Sequence, residues 1–189
     1  MVDDPLALLR DAGAACREAG IAYAVIGAVA RNAWAAPRAT ADLDLAAVVP
    51  TRVAFRRLVD ALSARGIGVI QLIGGEGEEA PDLLRLERPT GVVRRLDILV
   101  AKTPFERDAV ATSVEVELGG PHPVVRPEHL VVYKLIAGRP HDLEDALEVV
   151  RTRALDGHPI AEDVVRRWAA EWDVAARLDD LLRRSREPS

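Results

Sequence analysis

Apolar residues recur at helical spacing through Leu6, Leu8, Leu9, Ala12, Ala15 and Cys16, which predicts a helix over 4–19 that Gly20 stops. Residues 21–26 form a short apolar run between two glycines, the length of a buried strand. Gly27 then opens a run of small residues to Ala36, read as a short helix that Pro37 ends. The stretch 42–49 alternates polar and apolar before turning wholly apolar, as a strand with one exposed end does. Thr51 is the expected N-cap of the next helix, with Val53, Leu58, Val59 and Leu62 as its buried face and Gly66 as its end. Residues 67–73 read as another strand, and 74–79 as a polar loop. Runs 82–88 and 92–100 flank Pro89-Thr90-Gly91, a hairpin signal. A helix over 103–111 and a strand over 113–118 follow, the latter broken by Gly119-Gly120-Pro121. From Pro127 the pattern is helical throughout, over 127–137, 140–152, 160–171 and 174–186, with a frayed tail at 185–189.

This order predicts a mixed α/β sheet domain over 1–126 and a helical segment over 127–189 packed on it. Composition narrows the class. A chain of 189 residues with 49% hydrophobic residues can bury a sizeable core and is not disordered. A single cysteine, Cys16, excludes a disulfide framework and a cysteine-rich zinc module. No apolar run approaches the ~20 residues of a membrane span. The chain opens Met1-Val2-Asp3-Asp4, acidic where a signal peptide needs basic residues. The expectation is a cytoplasmic protein with no membrane partner. A net charge of −5 disfavours coating of nucleic acid, which depends on neutralising phosphates. Only Lys102 and Lys134 are lysines among 25 basic residues, so both are worth attention in an arginine-biased chain.

The chemistry concentrates at Asp42-Leu43-Asp44. Side chains two apart on a strand share a face, so two carboxylates stand side by side while Leu43 and Leu45 turn inward. Such like charges repel unless something offsets them, and a divalent cation with oxygen ligands, Mg²⁺, does so. The spacing alone is weak, since sixteen aspartates give about one such pair by chance, and a solvated strand end is the plain alternative. Context adds to it. Gly27 stands at a strand-to-helix junction, which presents free N–H groups to an anion such as phosphate. Asp97 lies within the apolar strand Arg95-Leu96-Asp97-Ile98-Leu99-Val100, where a lone carboxylate needs a metal or a partner such as Arg94 or Arg95. Three carboxylates on neighbouring strands facing a helix N-terminus form a two-metal phosphoryl-transfer site.

Gly27-Ala28 followed by Arg38-Ala39-Thr40-Ala41-Asp42-Leu43-Asp44-Leu45 resembles the first motif of the DNA polymerase beta-type nucleotidyltransferase superfamily. The Arg-x-Thr-x-Asp-Leu-Asp form is similar to its AbiEii-type branch, which includes toxins of toxin–antitoxin systems. A second block, from Pro127 through Lys134-Leu135 and Arg139 to His141-Asp142-Leu143-Glu144-Asp145, resembles a later block of that branch. The resemblance covers about residues 20–152. It implies a nucleotidyltransferase-like fold and Mg²⁺-dependent transfer of a nucleoside monophosphate from an NTP to a hydroxyl, with two ions during turnover. It implies that Asp42, Asp44 and Asp97 are the catalytic metal ligands. Gly27, Ala28, Arg31, Arg38, Thr40 and Lys134 would then serve the nucleotide, with Asp142 organising the site. The acceptor would be a tRNA end, a protein side chain or a small molecule, and an antitoxin would be a partner. The family usually carries Gly-Gly or Gly-Ser where this chain has Gly27-Ala28, and Ala28 has no hydroxyl to give a phosphate.

Two other readings stay open. One is a non-catalytic nucleotidyltransferase-like module that binds a nucleotide or a partner, which Ala28 favours; the other is a structural α/β protein with chance carboxylates. Plain surface charge is the alternative for Arg31, Arg38 and Lys134. The loop at 74–77 is no Walker loop, because no Gly-Lys-Ser/Thr follows. The four histidines show no metal-ligand spacing. Trp168 and Trp172, with Val164 and Val165, form a stripe read as core or as a dimer surface.

Overall fold

A computed structural model describes residues 4, 6–75 and 80–187, so residues 76–79 of the expected loop at 74–79 and the end of the expected tail lie outside the described residues. The chain divides into two compact units. One comprises Met1–Val29 and Ala39–Val125, the other Ala30–Arg38 and Arg126–Ser189. The division runs through helix α2 (Gly27–Trp34).

The first unit is built on a seven-stranded mixed sheet in the order β3-β4-β5-β2-β1-β7-β6. In chain order it contains α1 (Ala7–Glu18), β1 (Ala22–Ile26), β2 (Asp42–Val48), α3 (Arg52–Ser63) and β3 (Gly68–Ile73). Then come β4 (Leu83–Glu87), β5 (Arg95–Val100), α4 (Pro104–Ala111), β6 (Val114–Glu117) and β7 (Pro121–Val124). Period-two alternation makes one face of the sheet. Leu43 and Leu45 of β2, Leu84 and Leu86 of β4, and Leu96 and Ile98 of β5 are all buried. Caps fall where short polar side chains precede apolar runs. The Thr51 hydroxyl accepts from the Ala54 N–H, and Thr103 and Glu106 close a capping box on α4.

Three details differ from the pattern of the sequence. Val53 is 59% exposed rather than on the buried face of α3, because that face is carried by Ala54, Leu58, Ala61 and Leu62. Strand β3 is apolar yet largely exposed, because it is the sheet's edge and only β4 pairs with it. Strand β7 has no sequence signal, since Pro121 and Pro123 read as breakers. It forms because the prolines alternate with His122 and Val124, leaving those two N–H groups for the ladder with β6. Its pairing to β1 is a single residue pair, Val25 with Val124.

The second unit is helical. α5 (Pro127–Ala137), α6 (Pro140–Leu155), α7 (Glu162–Glu171) and α8 (Ala175–Ser185) pack in the pairs α5–α6, α5–α7, α6–α8 and α7–α8. Gly138 takes a left-handed conformation, φ +64°, that ends α5 and leaves Pro140 to open α6. Leu130, Leu135, Val149, Val165, Trp168, Leu178 and Leu181 are buried, so the tryptophan stripe is core at Trp168. Among the described residues no helix is long and apolar enough to cross a membrane.

Candidate functional site

The carboxylate site is assembled by strand register. β2 and β5 run parallel, with Asp44 opposite Asp97 and Asp42 opposite Arg95. Residues opposite one another share a face, so Asp42, Asp44 and Asp97 all stand on the face away from Leu43, Leu45, Leu96 and Ile98. β1 runs antiparallel beside β2 and sets Ile26 opposite Asp44, which brings the next residue, Gly27, against the Asp44 side chain. Gly27 has φ +63°, and a Cβ there would lie 2.1 Å from Asp44 Oδ2. Only glycine meets both demands, the left-handed turn into α2 and the absence of a side chain. Ala28 follows in the first turn of α2.

Two arginines on the same face meet these acids. Arg85 of β4 is opposite Asp97 across the hairpin, and its guanidinium lies side-on to the carboxylate. Its Nε donates to Oδ1 at 3.1 Å and Oδ2 at 3.3 Å, and its Nη2 donates to Oδ2 at 3.1 Å. Arg85 Nη1 donates to Gln71 Oε1 on β3 at 3.2 Å. A polar row therefore crosses the sheet as Gln71, Arg85, Asp97 and Asp44. The Asp97 carboxylate, through these bonds first, holds the Arg85 guanidinium above its ordinary pKa. Arg95 approaches Asp42 at 3.8 Å. The partner of Asp97 is thus neither Arg94 nor Arg95. On one strand the neighbour at i±2 shares the face but lies too far along it, whereas the adjacent strand lies about 4.8 Å away. Thr40 is committed locally, its hydroxyl donating to the Asp42 carbonyl at 3.1 Å.

Three carboxylates on one face are the hard oxygen donors that Mg²⁺ takes, so the donor set fits that ion. Their arrangement in this structure is that of an ion-paired row. Among the described residues no three His, Cys, Asp or Glu side chains are gathered closely enough to hold a metal.

The other expected residues, Arg31, Arg38, Lys134 and Asp142, lie in the helical unit, in a charge cluster of their own. Lys134 Nζ donates to Asp142 Oδ1 and to Asp145 Oδ2, both at 2.8 Å. Asp145 also receives Arg38 Nη2 at 2.8 Å and Nε at 3.2 Å, and lies 3.5 Å from Arg31 Nε. Arg139 bonds the second oxygen of Asp142, and Arg31 pairs with Glu148 and the Ala36 carbonyl. Lys134, Arg31, Asp142 and Asp145 are buried, two cations against two anions. Burial pushes the Asp142 carboxyl upward, but the bonds from Arg139 and Lys134 outweigh it and leave its pKa lowered. Burial likewise pushes Asp145 upward, and the bonds from Arg38 and Lys134 reverse the sign.

Sequence reasoning missed Arg85, Gln71 and Asp145. Arg85 carried a signal, because hairpin partners are symmetric about Gly91 and that symmetry sets Arg85 opposite Asp97. Asp145 carried another, since it is one helical turn from Asp142 on the same face of α6.

No protein-family model matches the chain, and no curated protein matches its sequence. Solved structures share its fold. The antibiotic-resistance factor ANT(2'')-Ia in solution aligns with a TM-score of 0.56 and 16% identity, over 95% of each chain. The same factor in complex with adenylyl-2''-tobramycin aligns at 0.57 and 15%, over 88% of this chain and 98% of that one. The lincosamide antibiotic adenylyltransferase LnuA with lincomycin bound aligns at 0.52 and 13%, over 75% of this chain and 94% of that one. The fold is nucleotidyltransferase-like.

Gly27→Ala is expected to lower stability by more than Gly20→Ala. Both glycines have φ above +60°, so both variants bear the left-handed cost of about 1–2 kcal/mol, but nothing lies within 4 Å of a Cβ at Gly20. Paired urea melts measure the difference, which reports the displacement of Asp44; equal losses would remove the close packing.

Lys134→Met is expected to destabilise the chain by about 3 kcal/mol, by leaving Asp142 and Asp145 short of a buried cation. The wild-type chain should also lose stability in acid. Asp142 and Asp145 titrate below the ordinary 3.8 when folded, so below that value the unfolded chain binds more protons. Their contribution is complete above pH 3.8 and is lost as pH falls through the lowered folded values. Melts from pH 2 to 6 check this, and in Asp145→Asn the slope should be shallower.

Proposed function

We propose that the chain is a cytoplasmic nucleotidyltransferase that moves a nucleoside monophosphate from an NTP to a hydroxyl of an acceptor. The observation that carries this reading is the register of β2 with β5, which sets Asp44 beside Asp97, with Asp42 on the same face and Gly27 against Asp44. The nucleotidyltransferase-like fold supports it, since ANT(2'')-Ia and LnuA are solved with adenylyl-2''-tobramycin and with lincomycin.

In this reading Asp42, Asp44 and Asp97 would hold Mg²⁺, which would supply Lewis-acid activation of the hydroxyl and charge neutralisation of the triphosphate. The side chain absent at Gly27 leaves room for a phosphate near the first N–H groups of α2. The acceptor oxygen forms a bond to the α-phosphorus, the bond from that phosphorus to the β-phosphate bridge breaks, and pyrophosphate leaves. The hydroxyl proton passes to a carboxylate of the row. Arg31, Arg38, Thr40, Lys134 and Asp142 are assigned to the nucleotide by the motif likeness, which also brings the AbiEii-type branch, a toxin role and an antitoxin partner into the proposal. The acceptor classes are a small hydroxyl-bearing molecule such as an aminoglycoside or lincosamide, a protein side chain, or a tRNA end. The acidic balance counts against the last.

A second reading has its own support. Asp97 is engaged by Arg85 and Ala28 offers no hydroxyl, both of which suit a module that binds a nucleotide without turning it over.

Each α-labelled NTP, incubated with Mg²⁺ and in turn with aminoglycosides, lincosamides, tRNA and a protein extract, tests both readings. Label is expected on one acceptor, with pyrophosphate released. Asp42→Asn and Asp44→Asn should each reduce the rate by at least about 100-fold with the melting temperature kept, as removal of a group that stabilises the transition state does. Saturable NTP binding with no label transferred to any acceptor would move the chain to the second reading.

A further inference from the structure

Asp97 has two neighbours to choose between. On one side, across the hairpin, Arg85 grips both of its oxygens side-on. On the other, across the parallel pair, stands Asp44. Both strands lie about 4.8 Å from β5, and an aspartate turning about its Cα–Cβ bond can aim its carboxylate either way. Aimed at Asp44 without a cation, it would put two like charges together, which is unfavourable. Aimed at Arg85 it gains a planar fork that matches its geometry. Arg85 is itself anchored, because Nη1 is bonded to Gln71 on the edge strand. The Arg85 and Asp97 side chains are 35% and 21% exposed, so the pair is reachable from solvent and not locked in the core.

We infer that Arg85 is a resident counter-cation that parks Asp97 away from Asp44, and that a divalent cation assembles the three-carboxylate set only by displacing it. This rests on the proposed nucleotidyltransferase reading and deepens it. Arg85 is then a positioning residue that sets the metal affinity of the site. When Asp97 crosses to Asp44 its bonds to the guanidinium break, and the freed cation stays on the same face of the sheet beside the carboxylates. The exchange moves no proton and needs no co-reactant. It accounts for a sheet face that carries three carboxylates, two of them register partners, but no gathered set of metal ligands among the described residues.

Mn²⁺ is the probe, titrated against the intact chain and followed by the loss of the free-ion electron paramagnetic resonance signal. Titrations run with the ion alone and with a non-hydrolysable ATP analogue. Arg85→Gln should bind Mn²⁺ on the order of 2- to 5-fold tighter than wild type, the range expected for removing a competing, partly exposed ion pair. Arg85→Lys, which keeps the charge but loses the fork, should fall between them. Arg85→Gln combined with Asp97→Asn should lose the gain. A thermal melt confirms that the variants fold, and a purely structural role for Arg85 would move the melt and leave the Mn²⁺ isotherm in place. Equal or weaker Mn²⁺ affinity in Arg85→Gln overturns the inference and leaves the nucleotidyltransferase reading standing. No saturable Mn²⁺ binding by any variant, even with the ATP analogue, overturns both.

Discussion

Like charge held at close range on one face of a sheet is the constraint from which the rest of the first unit follows. Parallel pairing of β2 with β5 sets Asp44 and Asp97 on adjacent strands, and Asp42 two residues along the same face. Neighbouring strands cannot drift apart without losing their ladder, so the repulsion cannot be relieved by separating the backbones. It is met by charge instead. Arg85 takes Asp97 from the neighbouring strand and Arg95 approaches Asp42, so two guanidinium groups stand among the three carboxylates. The opposite face needs the same register for a different reason, because Leu43, Leu45, Leu96 and Ile98 are buried together there. A one-residue slip would exchange the two faces and bury the carboxylates, which is why the register is strongly specified.

Charge in the helical unit is handled differently. Lys134 and Arg31 are buried with Asp142 and Asp145, so the attraction among these four is little weakened by water, and the loss of any one partner exposes the cost of the others. Asp145 is the hub, reached by Lys134, Arg38 and Arg31 together. Its position one turn after Asp142 lets Lys134 bridge both with one ammonium. Three donors on a freely rotating ammonium suit that bridging role better than a planar fork does, which gives a physical reason for a lysine at this point in an arginine-rich chain.

The two groups of charge therefore differ in what can be exchanged. A pair with solvent access, such as Arg85 with Asp97, can trade one partner for another at modest cost. A buried pair, such as Lys134 with Asp142, is held by the desolvation that separation would leave uncompensated. Chemistry that requires a carboxylate to change partners belongs on the sheet face, and the helical cluster is suited to hold its shape.

The amino-acid sequence carries the element types legibly, because they depend on local periodicity and on caps. The helices came from 3.6-residue spacing, with Thr51 as a hydroxyl cap, and the strand pairs from alternation around Pro89-Thr90-Gly91. It also determined that Asp42 and Asp44 share a face, since that follows from the strand period alone. Strand β7 was hidden because two prolines suppress the local signal, and only pairing with β6 and β1 made it a strand. The exposure of β3 was hidden because an apolar run looks the same at a sheet's edge as at its centre. The partners of the charged residues were decided by tertiary structure alone. Arg85 meets Asp97 from 12 residues away and Arg38 meets Asp145 from 107 away, through strand register and helix packing. A charge carries no mark of its partner in the sequence, because Coulomb attraction depends on distance in space and not on position along the chain.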